Sequence, residues 1–233
     1  SISSGVAQVV SAFPQLYSYR IELSVAMVAL VTLINLRGVK ESGRIFAVPT
    51  YFFLLMAFIT VGVGLARHFT GTLPTVIDPP AFDVEATLPL TLFLILRAFA
   101  SGTTALTGVE AISNGITAFK EPRSKNAGQT LIVMSAVLGS LMLAITFLAR
   151  QTGAVPTESG ETIISQLART ALNSHLLYLA VIAATTLILL MAANTAFADF
   201  PRLAALHAGD GFLPRQLTYK GSRLVFSRGI VTL

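Results

Sequence analysis

Five apolar stretches dominate this 233-residue chain and constrain its fold more than any other feature. A helix needs roughly 20 apolar residues to cross a hydrocarbon core, and each stretch reaches or approaches that length. The hydrophobicity within each stretch is continuous and does not alternate, which predicts helices and excludes barrel strands. The stretches cover residues 16–36, 45–66, 88–116, 130–149 and 172–198.

The composition agrees with a membrane protein. Hydrophobic residues make up 54% of the chain and charged residues only 12%, whereas soluble domains carry roughly a quarter charged residues to solvate their surface. The chain has no cysteine, which excludes disulfides and thiolate chemistry. We therefore predict an all-α polytopic protein of the cell membrane with one transmembrane domain over residues 1–233. Its expected surroundings are lipid, and no nucleic-acid partner is expected.

Basic residues are concentrated in the connections that share one side if all five stretches cross the membrane. Those connections hold 11 of the 16 Lys and Arg residues: Arg37, Lys40, Arg44, Lys120, Arg123, Lys125, Arg202, Arg215, Lys220, Arg223 and Arg228. The positive-inside rule places that side in the cytoplasm, so residues 199–228 are predicted to form a cytoplasmic loop. The alternative, a re-entrant hairpin in place of one span, would put two basic loops on opposite faces.

The connections also predict local structure. Apolar residues at helical spacing over 163–172 indicate a short outer helix along the interface, serving as a packing element. Pro201 is expected to open a separate short helix that closes at Gly209. Residues 1–15 have the pattern of a loop and residues 229–233 that of an unfinished span, so we expect a fragment of a longer transporter.

The third stretch is interrupted in its middle by glycines and hydroxyl side chains. The residues concerned are Ser101, Gly102, Thr103, Thr104, Thr107 and Gly108. Unwound backbone at membrane depth persists where it lines a cavity, and transporters place ligands at such breaks. Hydroxyl and carbonyl oxygens are suitable ligands for a transported monovalent cation. No resident metal or cofactor is expected. The alternative is close helix packing, with threonines bonded to their own backbone.

Polar side chains within the spans suggest two further roles. An ionisable group inside a span is by default a functional hypothesis, so Glu110 is a candidate for proton coupling or gating. The alternative is an ion pair between Glu110 and Lys125. Asn114 and Asn194 are expected to make interhelical hydrogen bonds instead of touching substrate.

Three sequence runs resemble the amino acid-polyamine-organocation (APC) superfamily. That superfamily's sixth transmembrane helix and following loop are similar to the run TALTGVEAISNGITAFKEPRSKNAGQT at 104–130. The superfamily's eighth helix and its loop resemble the run MAANTAFADFPRLAALHAGDGFLPRQ at 191–216. The loop after its fourth helix resembles the run INLRGVKESGR at 34–44. The resemblance implies that the five spans are helices four to eight of a partial LeuT-type fold.

Within the superfamily the chain most resembles the KimA-type potassium/proton symporters, which share ASGxxALTGVEAISNGI at 100–116 and the run AANT…FPRLA…GFLPR…RLVFS. Ordinary amino acid permeases usually carry acidic residues where Thr117-Ala118-Phe119 stands here. The resemblance implies proton-coupled potassium import, with a threonine of the broken helix in the potassium pathway. Thr103, Thr104 and Thr107 are the candidates.

The leading functional hypothesis is therefore a secondary active transporter that imports potassium with protons. The alternative within the superfamily is a permease for a small amino acid or amine. An intramembrane enzyme is not expected, because the sequence has no His-Glu-x-x-His run and no paired aspartates on two facing spans, and its three histidines all fall near loops. Whether the protein forms a homo-oligomer is left open.

Overall fold

The computed structural model describes residues 1–37, 43–76, 91–103, 112, 116, 119–155, 161–219 and 227–232. Within these residues the chain forms α-helices and short 3-10 helices and no strand, which confirms the predicted all-α class. The α-helices are α1 (Ile2–Ala12), α2 (Arg20–Leu36), α3 (Gly43–Phe69), α4 (Leu92–Gly102), α5 (Arg123–Thr152), α6 (Ile163–Leu172), α7 (His175–Gly209) and α8 (Ser227–Thr232). The 3-10 helices are Pro14–Tyr19 and Arg215–Thr218.

The chain divides into two compact units. The first contains Ser1–Asp78 and Leu148–Leu233, and the second contains Pro79–Phe147. The first unit therefore holds α1, α2, α3, α6, α7, α8 and the C-terminal end of α5. The second holds α4 and the remainder of α5.

Four of the five predicted stretches lie in helices that are long and apolar enough to cross a membrane. These segments are Pro14–Leu36, Phe46–Phe69, Arg123–Thr152 and His175–Phe197. The remaining stretch, 88–116, is described mainly over its first half, where α4 has 11 residues and is too short to cross alone. This set of apolar helices is consistent with the predicted polytopic membrane protein.

Helix α7 is the centre of the first unit. It contacts α1, α2, α3, α6 and α8, and 33% of its most apolar 18 residues are buried, against 6% for the segment Pro14–Leu36. Its residues Tyr178, Val181 and Ile182 pack with Met56 of α3 and Ala168 of α6 in one hydrophobic cluster. Side chains from α1, α3 and α6 are therefore held in place by α7.

The structure corrects two predictions about the connections. Residues 1–15 are not a loop, because α1 covers Ile2–Ala12 and buries Val6 and Val10. No separate helix begins at Pro201, because α7 continues through that residue to Gly209. Proline removes one backbone N–H without ending a helix that is held by its neighbours.

The short helix predicted over 163–172 is present as α6, covering Ile163–Leu172. Thr162 caps its N-terminus by accepting a hydrogen bond from the Ser165 backbone N–H at 3.2 Å. At its other end Asn173 adopts the left-handed conformation, with φ of 47°. The apolar face is buried against protein, which agrees with the predicted role in packing.

Candidate functional site

The broken span begins with a well-defined half-helix. The Thr91 side chain caps α4 by accepting a hydrogen bond from the Leu94 N–H at 3.2 Å. The helix ends at Gly102, inside the run of glycine and hydroxyl residues in which the sequence predicted an interruption. Thr103 follows as the C-terminal cap, and its hydroxyl donates to the Ala100 carbonyl at 2.7 Å.

The bond from Thr103 to its own backbone is the pattern that the packing alternative predicts, and the end of α4 also carries groups that favour a cation. The last carbonyl groups of a helix lack intrahelical donors and give that end a partial negative charge, which favours cations. Because the Thr103 hydroxyl hydrogen is used in the bond to Ala100, the lone pairs of its oxygen point away from that bond and can accept a cation. Ser101 and Gly102 are exposed and Thr103 is half-buried.

Gly102 bears on the alternative of close helix packing. A Cβ built on Gly102 would meet no atom within 4 Å, so in the described part of the chain no neighbouring helix requires glycine at this position. Gly64 of α3 behaves oppositely, since its Cβ would lie 2.8 Å from Leu148 Cδ1. Close packing therefore accounts for Gly64.

The other predicted site residues lie outside the described residues. They are Thr104, Thr107, Gly108 and Glu110. Asn114 lies outside them as well. Among the residues that the structure describes, no group of three His, Asp or Glu side chains comes together as a metal site.

Asn194 makes the kind of contact that the sequence predicted. Its Oδ1 accepts a hydrogen bond from Asn35 Nδ2 at 2.6 Å, which links α7 to α2. Asn35 Nδ2 also donates to the Val31 carbonyl at 2.9 Å. The prediction of an interhelical hydrogen bond at Asn194 is confirmed.

Sequence reasoning missed a polar network that joins α1, α6 and α7. Thr162 donates to Gln8 Oε1 at 3.0 Å, and the Ser165 hydroxyl lies 2.8 Å from the Tyr178 hydroxyl. Tyr178 in turn donates to the Ser11 carbonyl at 3.2 Å. The only local signal was the capping pattern at Thr162, since its partners lie about 150 residues away in sequence.

The apolar helices define the class: a multi-pass membrane protein, in which α4 ends among glycine and hydroxyl residues. Over residues 1–233 the chain matches the amino acid permease family, and it belongs to that family. It is 43% identical over 236 residues to the potassium transporter KimA of Bacillus subtilis (strain 168). That alignment covers 100% of this chain and 38% of the relative, so the chain spans well under half of the relative's length.

These matches confirm the resemblance to the APC superfamily that the sequence runs predicted. They also place the chain among membrane transporters and not among enzymes. Localisation in the cell membrane agrees with both the family and the apolar helices.

Proposed function

We propose that the chain is part of a secondary active transporter that imports potassium together with protons. The observation that carries the proposal is the 43% identity, over the whole of this chain, to a potassium transporter. The end of α4 supports it, because a hydroxyl oxygen lies beside a helix C-terminus. Dehydrated potassium is bound by several oxygen atoms at close range.

The proposed ion site is the interrupted segment after α4. Hydroxyl and backbone oxygens would bind the ion, and glycines would permit the unwound backbone. The residues assigned to it are Ser101, Gly102, Thr103, Thr104, Thr107 and Gly108.

The second candidate cargo is a small amino acid or amine, which the description of the family favours. The two candidates require different chemistry. A carboxylate binds to backbone N–H groups at a half-helix N-terminus, whereas a naked cation needs oxygen ligands.

Uptake by the complete protein tests the proposal. A bacterial host deficient in potassium import would express it, and uptake of potassium, rubidium and labelled amino acids would be measured at several external pH values. We expect potassium and rubidium uptake that increases as the external proton concentration rises. Uptake of an amino acid with none of potassium would establish the second candidate instead.

Glu110 is proposed to act in proton coupling or gating. It lies three residues after Thr107, almost one helical turn away if the helix has resumed there. We expect Glu110→Gln in the complete protein to flatten the pH dependence of uptake while potassium affinity changes little. Loss of potassium affinity with an unchanged pH profile would reject this role.

The orientation is proposed from the concentration of basic residues in one set of connections. Single cysteines in place of Lys125 and Arg215 should resist an impermeant thiol reagent in intact cells, and cysteines in place of Asp78 and Glu158 should react. Because the chain has no cysteine of its own, background labelling from it is absent. Reaction at position 125 or 215 without permeabilisation would contradict the orientation.

A further inference from the structure

Arg97 is a charged side chain in the middle of an apolar half-helix. It lies in α4, between Leu96 and Ala98. Because a helix rises 1.5 Å per residue, Arg97 is about 7.5 Å along the axis from each end of α4. A charged group inside an apolar span is costly, and such groups face a partner or a cavity. Arg97 therefore needs a physical explanation.

The two faces of α4 differ in polarity. Arg97 and Ser101 are four residues apart and share one face. The opposite face carries four large apolar side chains, each at least 48% exposed: Leu92, Ile95, Leu96 and Phe99. That apolar face is suited to lipid, whereas the backbone groups freed where α4 ends can lie only against protein or a cavity. The pattern turns Arg97 toward protein or a cavity and away from lipid.

The charge of Arg97 is not balanced by any residue that the structure describes. The ion pairs among those residues join Arg123 to Glu121 and Arg169 to Glu161. The Arg97 side chain is exposed there. A guanidinium presents its N–H donors in a planar fork that matches the two oxygens of a carboxylate. The best acceptor for Arg97 is therefore a carboxylate.

The charge of Arg97 also acts on the end of α4. That end belongs to the proposed potassium site, and two positive charges roughly 10 Å apart repel each other where water is excluded. A carboxylate on Arg97 would cancel most of this repulsion, because the pair as a whole is neutral. Only this repulsion rests on the proposed function, since the need of Arg97 for a partner does not depend on the cargo.

We propose that Arg97 binds a carboxylate on the polar face of α4 through paired, charge-assisted hydrogen bonds. The carboxylate comes from one of two sources. One is an Asp or Glu side chain of the complete protein, and the other is the carboxylate of an amino acid cargo. With the first source Arg97 is a positioning residue that fixes α4 beside its partner, and with the second it contacts the cargo itself.

Two substitutions in the complete protein test the pair. Arg97→Gln removes the charge and would leave a protein carboxylate buried without a partner. We then expect the Tm of the purified protein to fall by at least about 2 °C and potassium uptake to fall by at least about tenfold. Arg97→Lys keeps the charge but loses the planar fork, so it should give intermediate values. Arg123→Gln is the matched control, because its ion pair with Glu121 is exposed and contributes little.

A second set of variants identifies the source of the carboxylate. Each Asp and Glu of the membrane spans is changed in turn to Asn or Gln in the Arg97→Gln protein. If the carboxylate is a side chain, one of these changes should restore the Tm to within about 1 °C of the unmodified protein. If it belongs to the cargo, Arg97→Gln should keep the Tm of the cargo-free protein and should lose the rise in Tm that L-alanine, L-serine or L-lysine produces.

Two results would overturn the proposal. One is a Tm, a potassium uptake and an amino acid response of Arg97→Gln that all match the unmodified protein, which would indicate that the side chain extends to the lipid head groups. The other is a fall in Tm or uptake that no acid substitution restores, with an unchanged amino acid response, which would indicate packing alone. The Tm measurements need no potassium transport, so they decide the question even if the proposed cargo is wrong.

Discussion

Replacing Thr103 with valine is expected to weaken the apparent affinity of the complete protein for potassium and rubidium by about tenfold or more. Valine keeps the shape of threonine and removes the hydroxyl oxygen at the end of α4. If that oxygen binds the ion, the loss is comparable to a hydrogen bond to a charged group, about 1.5–3 kcal/mol. Because 1.4 kcal/mol is a factor of ten in an equilibrium constant, the effect is readily measured by uptake titration.

Packing alone would give a smaller effect. The Thr103 hydroxyl bonds the Ala100 carbonyl, and a hydrogen bond inside a membrane protein is worth about 0.6 kcal/mol on average, roughly threefold. Thr50 of α3 is a matched control, because its hydroxyl bonds the Phe46 carbonyl at 2.8 Å away from the break. Thr103→Ser keeps the oxygen and should retain affinity. Equal effects of Thr103→Val and Thr50→Val on potassium affinity would reject the role of Thr103 as a ligand. The same measurement on Thr104→Val and Thr107→Val tests the other two candidate threonines.

The end of α4 could be predicted from the sequence because its determinants are local. Ser101, Gly102 and Thr103 follow one another, and glycine together with hydroxyl side chains weakens a helix within one turn. The apolar spans are predictable for the same reason, since each lies in one continuous stretch. Local composition therefore identified the class of protein and the place where α4 ends.

The contacts between distant residues could not be predicted in the same way. The sequence indicated that Asn194 bonds another helix, but nothing in it indicated Asn35, which lies 159 positions away. The sequence predicts a loop over residues 1–15 because they have no compact apolar core, whereas the structure has α1 there. The Gln8 side chain accepts from the Thr162 hydroxyl, and Ser11 accepts from the Thr162 backbone and from Tyr178, so these contacts form only when residues about 150 positions away fold against α1.

The continuation of α7 past Pro201 is likewise a tertiary effect. Proline at that position removes the N–H that would bond the Phe197 carbonyl, which on its own favours a break. In the structure α8 packs directly on this part of α7, with Ile230 against Phe197 and Val31. Packing on the outside of the helix therefore overrides the local signal at Pro201.

That packing makes Gly229→Ala a severe change for stability. A Cβ on Gly229 would lie 2.9 Å from both Cα and Cβ of Pro201, and the backbone atom cannot rotate away. Helix α8 would have to withdraw from α7, which would expose Ile230, now 5% exposed. Overpacking typically costs about 1–3 kcal/mol, so the Tm of the purified complete protein should fall by about 1–3 °C, because the shift per kcal/mol becomes smaller as the chain becomes longer.

Two other glycines separate this clash from the general effect of adding a methyl group. An alanine at Gly62 would meet nothing within 4 Å, so Gly62→Ala should leave the Tm unchanged or raise it, because alanine favours a helix by about 1 kcal/mol. An alanine at Gly64 would press on the end of the Leu148 side chain, which can shift, so its effect should be intermediate. A Tm for Gly229→Ala at or above that of Gly62→Ala would show that α8 is not packed against Pro201.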